Sequence, residues 1–243
     1  MKRLIAIVTF LMTVCAANDP ILRDQITLIS RTRSGSNWYQ YCIKQLVKKP
    51  VHFVQSHYKL NPCRGVKGFY WSHDPKIEKL FPSKHNKLII TLRNYKELFC
   101  RDTRDLQGEE KYTALFNPKL YIQYVEFIKA FDTWQKETRH LYYYEDMMDH
   151  PEGTLRGILT FVGESAGSLP HFIKSLAVHK KRSIILYNQR FKYSITEGKA
   201  NLYHSLNVPS EILLKVDAMM REYAGPLFDK YLKRYEHRPT AEI

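Results

Sequence analysis

The sequence predicts one α/β domain in which a parallel β-sheet is flanked by helices. Short apolar or β-branched runs bounded by turn residues are typical of buried strands, and segments with helical spacing of apolar residues lie between them. Strands that alternate with helices indicate βαβ units and a parallel sheet covered on both faces. No internal repeat, low-complexity tract or linker interrupts the 243 residues, a length that suffices for one domain with its own core.

Five strands are predicted, at residues 25–30, 51–55, 66–71, 87–92 and 140–144. Helical spacing is found at residues 38–46, 120–134 and 155–162, and two late helices are expected at residues 210–224 and 226–235. Ligands of such sheets bind at the carboxyl ends of the strands, so the residues that follow each strand are the candidates for a site.

The formal net charge of +14 and a pI near 9.5 favour a polyanionic partner. Nucleic acid, an anionic membrane surface, an acidic glycan and a phosphorylated cofactor all satisfy this charge. The sequence lacks zinc-finger spacing, an RNA-binding aromatic motif and a basic zipper. A nucleic-acid binder should carry a basic stripe away from the strand ends, whereas Arg33 and Arg93 both follow predicted strands, so no nucleic-acid partner is expected.

The first 17 residues have the three parts of a secretory signal peptide in order. Lys2 and Arg3 form a basic start, residues 4–14 are apolar, and Cys15-Ala16-Ala17 supplies small residues for cleavage. A buried first strand is the alternative interpretation. We therefore expect a signal peptide at 1–17, a domain at 18–243, and a location in the secretory pathway, outside the cell or in a periplasm. No later segment is long and apolar enough to span a membrane.

Three cysteines follow the predicted signal: Cys42, Cys63 and Cys100. This number allows at most one disulfide and one free thiol, and all three can instead be small buried hydrophobic residues. Their spacing does not indicate a metal site.

Residues 31–38 join the first predicted strand to the first predicted helix and have the composition of a phosphate-binding turn. Backbone N–H groups at a helix N-terminus lack partners, and the helix dipole favours an anion there. Gly35 permits a positive φ or close approach of the backbone, and Arg33 adds a planar charged group. Side-chain hydrogen bonds can come from Ser34, Ser36 and Asn37. An ordinary capped helix is the alternative, because Ser and Asn are good N-caps. The turn differs from a nucleotide-kinase loop, since no Gly precedes it and no Lys follows Gly35.

The segment Arg33-Ser34-Gly35-Ser36-Asn37-Trp38 resembles the 5′-phosphosulfate loop of the sulfotransferases, which has a basic residue, Ser-Gly, two small polar residues and often Trp. The resemblance implies a P-loop-like parallel sheet and the cofactor 3′-phosphoadenosine 5′-phosphosulfate (PAPS). It implies that Arg33 and residues 34–37 hold the 5′-phosphate and the leaving oxygen. Trp38 is either a stacking platform for the adenine or a core residue.

Two further segments resemble sulfotransferase signatures in the family's order. Arg93-Asn94-Tyr95-Lys96-Glu97 follows a strand as the family's Arg-Asn-Pro-x-Asp/Glu does, and the resemblance makes Arg93 a ligand of the cofactor's 3′-phosphate. Tyr95 replaces the proline, and Arg101 stands where the family has a serine that also faces this phosphate. Tyr144-Glu145-Asp146-Met147 resembles the Tyr-Glu-Asp-Leu/Met strand end, which implies that Tyr144 lines the nucleotide site. The likeness covers residues 25–165, and the family's Arg-Lys-Gly-x-x-Gly loop is absent.

The segment Ser72-His73-Asp74-Pro75 resembles the family's Lys-Thr-His-x-Pro motif, which implies that His73 is the catalytic base. Trp71 occupies the position of the lysine. His57 also follows an apolar run and is the competing candidate.

These observations predict an enzyme that moves a sulfonyl group from PAPS to a hydroxyl of a glycan, lipid or small molecule, with His73 and Arg33 as catalytic residues and no metal. The alternative is a secreted, catalytically impaired protein of the same fold that binds an anion or nucleotide. The missing lysine before His73 and the Ser-to-Arg change at Arg101 keep that alternative open.

Overall fold

The computed structural model describes residues 24–49, 51–54, 68–79, 81, 83–103, 105–191 and 208–236. The predicted signal peptide, His57 and Cys63 lie outside these residues. The signal peptide and the location that follows from it therefore stay predictions.

The structure has a five-stranded sheet with the order β2-β3-β1-β4-β5. The strands are β1 (Ile26–Ile29), β2 (Val51–Phe53), β3 (Phe69–Ser72), β4 (Lys87–Leu92) and β5 (Arg139–Tyr143). All four neighbouring pairs are parallel. The predicted class, a single α/β domain with a parallel sheet flanked by helices, is confirmed.

Helices cover both faces of the sheet. In chain order they are α1 (Ser36–Val47), α2 (Tyr95–Asp102), α3 (Gly108–Leu115), α4 (Pro118–Thr133), α5 (Tyr144–Asp149), α6 (Pro151–Val162), α7 (Leu169–Lys174), α8 (Leu176–Phe191) and α9 (Ser210–Ala224). Short 3₁₀ helices lie at Pro75–Lys79, Ser83–His85 and Lys136–Thr138. No helix among these ranges combines the length and the apolar character needed to cross a bilayer.

Alternation along β4 explains why two cores form. Leu88, Ile90 and Leu92 point to a core shared with α2, α4 and α9, whereas Ile89 points to a second core shared with α1, α6 and α7. Successive side chains of a strand point to opposite faces, so a run of apolar residues is what a strand buried on both faces requires.

The chain after α9 differs from the regular helix expected at residues 226–235. Gly225 ends α9 with a φ of 53°, and the following segment becomes a π-helical turn (Phe228–Leu232) and a 3₁₀ turn (Lys233–Tyr235). Hydrogen bonds to other parts of the fold hold this segment in place. For example, the Tyr231 carbonyl accepts from the Tyr143 hydroxyl of β5 at 3.0 Å. These contacts outweigh the helical preference of the isolated sequence.

Cys42 and Cys100 are buried free thiols. Burial raises the pKa of Cys100 to about 12 and holds the pKa of Cys42 well above its usual value. Both residues behave as small hydrophobic side chains, which is one of the two roles that the sequence allowed.

Candidate active site

The carboxyl end of β1 leads into α1 through a tight turn at residues 30–35. Arg33 and Gly35 both have a positive φ, 69° and 89°, and the Ser34 N–H donates to the Arg31 carbonyl at 3.2 Å. Two left-handed residues within three positions reverse the chain sharply, so the helix begins directly above the strand end.

Gly35 occupies the N-cap of α1 and has no side chain with which to cap the helix. By contrast, Asn94 and Asn117 cap α2 and α4 with their side-chain oxygens. The first N–H groups of α1 thus have no side-chain acceptor at the N-cap. Uncapped N–H groups of this kind are available to an external anion, and the anion site predicted here from the sequence stays a prediction.

The conformation of the turn also depends on Tyr144, the first residue of α5. A Cβ added to Gly35 would lie 2.3 Å from Cδ2 of Tyr144, so only glycine permits this approach of turn and ring. On the same ring, the guanidinium carbon of Arg93 lies 4.3 Å from the centroid. Tyr144 therefore contacts both arginine-bearing strand ends.

Arg93 directly follows β4 and is buried, with 5% of its surface exposed. Its Nη1 donates to the Arg33 carbonyl at 3.2 Å, and its own carbonyl accepts from the Tyr124 hydroxyl at 2.6 Å. These bonds fix Arg93 against the turn that follows β1. The two strand ends proposed from the sequence to share a site are thus in direct contact.

Glu145 joins the same strand end to the C-terminal segment. Its two carboxylate oxygens accept from the Asn94 N–H at 2.9 Å and from the Tyr235 hydroxyl at 2.8 Å. Because it has two specific partners, Glu145 is more than a charge favourable to a helix N-terminus.

Sequence reasoning missed the roles of Arg31 and Asp102. Nη2 of the buried Arg31 lies 2.7 Å from one oxygen of Asp102, and Nε of the more exposed Arg33 lies 3.6 Å from the other. The Arg31 guanidinium also lies over the Phe99 ring at 5.2 Å. The only sequence signal was an acidic residue beside Arg101 in a strongly basic chain. Arg101 itself is half-buried in the last turn of α2, eight residues after Arg93.

His73 directly follows β3, and strand register places it beside the turn, because Ser72 pairs with Ile29. Its Nδ1 lies 2.7 Å from the Ser30 carbonyl oxygen, which can only accept, so Nδ1 carries a proton. In the neutral ring the lone pair is then on Nε2. Burial lowers the pKa of His73, an effect that the bond to Ser30 opposes. A neutral histidine with a fixed tautomer is suited to accept a proton.

The remaining turn residues differ in environment. Ser34 and Ser36 are buried and Asn37 is exposed. The Trp38 ring stacks on Tyr41 with a centroid distance of 5.7 Å and lies 6.3 Å from the ring of Phe172. Of the two roles that the sequence allowed for Trp38, these contacts favour packing against the core.

No protein-family model matches the sequence, and a search of curated proteins also gave no match. Solved structures do match. The fold aligns with mouse sulfotransferase SULT7A1 complexed with PAP at a TM-score of 0.58 and 15% identity, covering 88% of this chain and 90% of that chain.

Retinol dehydratase is also similar. Its complex with retinol and PAP aligns at a TM-score of 0.64 and 14% identity, over 84% of this chain and 82% of that chain. Its complex with androsterone and inactive cofactor PAP aligns at 0.63 and 12% identity, over 84% and 81% of the two chains. Identities this low show the fold alone. The chain has a sulfotransferase-like fold, which confirms the resemblance seen in the sequence.

Proposed function

We propose that the protein is a sulfotransferase that uses PAPS and a hydroxyl-bearing acceptor. The proposal rests on one observation: at neighbouring strand ends, Arg93 bonds to the Arg33 carbonyl, and the Tyr144 ring contacts both Arg93 and Gly35 of the turn. PAP, which is PAPS without its sulfonyl group, is the ligand of the similar structures reported above.

The residues present fit a doubly phosphorylated nucleotide. Nη1 of Arg31 and Oγ of Ser30 are buried and lack hydrogen-bond partners within the described part of the chain, at the end of β1. Buried polar atoms of this kind cost free energy unless a ligand or water satisfies them. The glycine at position 35 leaves the backbone open on the helix N-terminus, where phosphate binds well.

The proposed division of roles follows the strand ends. Arg33 and the N–H groups of residues 34–37 hold the 5′-phosphate and stabilise charge on the leaving oxygen. Arg93, with Arg101, holds the 3′-phosphate, and Tyr144 lines the nucleotide site. Trp38 packs against Tyr41 and Phe172 and supports the helix that follows the turn.

PAPS supplies the sulfonyl group. The bond from the acceptor oxygen to sulfur forms as the bond from sulfur to the bridging phosphate oxygen breaks. His73 takes the acceptor proton on Nε2 while the Ser30 carbonyl holds Nδ1–H. Trp71, which packs edge-on against His73 at 4.8 Å, cannot assist the leaving group as the family's lysine does. Arg33 provides that assistance in this proposal.

The test is incubation with radiolabelled PAPS and pooled hydroxyl acceptors: sugars, sterols and phenols. We expect labelled product. His73→Ala should lose about 10²–10⁴-fold in turnover, the usual cost of removing a general base, with PAP affinity nearly unchanged by calorimetry. His57→Ala is the matched control and should lose far less.

Two outcomes would contradict the proposal. Tight PAP binding without product from any acceptor would favour the alternative, a binding protein of the same fold. A fast His73→Ala enzyme beside an inactive His57→Ala enzyme would move the base to His57.

A further inference from the structure

Helix α8 exposes aliphatic side chains. Val178, Ile185 and Leu186 are 50%, 53% and 53% exposed, and they are three of the five large hydrophobic residues exposed in the described chain. Single exposed apolar residues are common, but three on one helix form a patch.

The rotation of α8 is fixed by its inner side. Nδ1 of His179 is 2.9 Å from the Tyr41 hydroxyl of α1, and the His179 ring stacks on Phe172 of α7 at 4.1 Å. The exposed side chains described on α8 are those of Ala177, Val178, Lys181, Arg182, Ile185, Leu186 and Gln189, and we call the surface that they form the α8 outer face. The spacing i, i+1, i+4, i+5, i+8, i+9, i+12 keeps these seven residues within about half of the helix circumference through three turns.

The charge of α8 has one sign. The helix carries four Lys and Arg residues and no Asp or Glu over residues 176–191. Two of the cations, Lys181 and Arg182, lie on the α8 outer face between Val178 and Ile185. Long basic side chains can extend their charge sideways while their methylene stems lie along an apolar surface.

We propose that the α8 outer face binds the surface of an anionic lipid bilayer. Such a surface supplies the acyl boundary that the aliphatic side chains need and the anionic headgroups that the cations need. A polyanionic glycan or a nucleic acid satisfies only the cations and leaves the aliphatic side chains in water. A second copy of this chain would place Lys181 and Arg182 against like charges.

The experiment is vesicle flotation of the full chain, with neutral phosphatidylcholine vesicles and with vesicles containing about one third phosphatidylserine. We expect the chain to float with the anionic vesicles only, and the bound fraction to fall as salt rises. Ile185→Asp and the double variant Lys181→Glu/Arg182→Glu should each weaken partitioning by about tenfold or more.

Leu214→Asp and Lys215→Glu on α9 are the matched controls, because Leu214 is 58% exposed and Lys215 follows it. They should change partitioning by less than about twofold, the size of an ordinary surface effect. Circular dichroism and thermal unfolding confirm that every variant is folded. The proposal is wrong if the wild-type chain stays unbound, if both α8 variants still float, or if the α9 controls lose binding equally. Recovery of an acidic protein on the α8 outer face in place of vesicle binding would also overturn it.

Discussion

Asp102 is the carboxylate through which two arginines of the site are held. Its oxygens lie 2.7 Å from Arg31 and 3.6 Å from Arg33, so one negative charge faces two guanidinium groups. The side chain of Arg31 is only 8% exposed, so loss of its counter-charge on Asp102 would lower the free energy of unfolding. The strand end therefore keeps an excess of positive charge that a phosphate would balance.

We expect Asp102→Asn to lower the free energy of unfolding by about 2–4 kcal/mol, because it leaves the buried Arg31 without its counter-charge. Saturating PAP should recover part of this loss, since bound phosphate replaces the missing charge. Urea unfolding with and without PAP measures both effects.

The matched control for this variant is Glu152→Gln. Glu152 pairs with Arg156 at the same distance, 2.7 Å, on the exposed face of α6, where such a pair contributes less than about 0.5 kcal/mol. Equal losses of unfolding free energy in Asp102→Asn and in the control would show that the buried pair stabilises the protein no more than the exposed pair does.

Helices α2 and α9 are joined by a buried polar cluster. Nζ of Lys96, whose side chain is 3% exposed, donates to Asp217 at 3.1 Å and to the Tyr235 carbonyl at 2.7 Å. The Tyr95 hydroxyl donates to the other oxygen of Asp217 at 2.5 Å. Burial, together with this bond, raises the pKa of Tyr95. The cluster fixes α9 and the C-terminal segment against the helix that follows Arg93.

Asp217→Leu should cost about 3–5 kcal/mol in unfolding free energy, because the ammonium of Lys96 stays buried without a counter-charge. The double variant Lys96→Met/Asp217→Leu should recover at least half of that loss, since no buried charge remains. Urea unfolding of the three proteins measures the difference. A double variant less stable than Asp217→Leu would mean that the cluster stabilises through packing and not through charge balance.

The sequence predicts those elements whose boundaries depend on neighbouring residues. The predicted strand at 87–92 matches β4 residue for residue, because an apolar run ends at polar residues on both sides. Gly35 was recognised because a turn between strand and helix needs a positive φ. Its contact with Tyr144 was not, because it joins residues more than a hundred positions apart. The Arg31–Asp102 pair and the irregular helix after Gly225 were missed for the same reason: long-range contacts decide them.

Three half-buried histidines of the described chain link the stability of the protein to pH. The pKa values of His73, His140 and His179 are all lowered, in each case chiefly by burial. Between the folded pKa and the unfolded value of 6.5, the unfolded chain binds more protons than the folded one. Stability is therefore full above the unfolded pKa and falls as pH drops through it toward the folded pKa.

We expect the urea midpoint to fall between about pH 7.5 and pH 5, the range in which unfolded histidine takes up its proton. His140→Phe should reduce this fall, because the His140 ring stacks on Phe161 at 5.1 Å and phenylalanine keeps the aromatic contact without titrating. Phe161→Leu alters the same contact without removing a histidine, so it is the control variant and should keep the fall. A fall of the same size in His140→Phe and the wild type would contradict this assignment.

In the function that we propose, the strand ends bearing Arg33 and Arg93 form one site for a nucleotide with phosphates at both its 3′ and 5′ positions. Calorimetry compares the binding of PAP with that of adenosine 5′-phosphate. Arg139→Ala is the matched control, because Arg139 is also a poorly exposed arginine but begins β5 at the opposite end of the sheet.

We expect the wild-type chain to bind PAP more tightly than adenosine 5′-phosphate. Arg93→Ala should weaken PAP binding by about tenfold or more, the effect of losing a charge-assisted contact, and should weaken adenosine 5′-phosphate binding less. Arg139→Ala should change the binding of neither nucleotide. Absence of PAP binding, or equal losses of both nucleotides in Arg93→Ala, would contradict the proposed site.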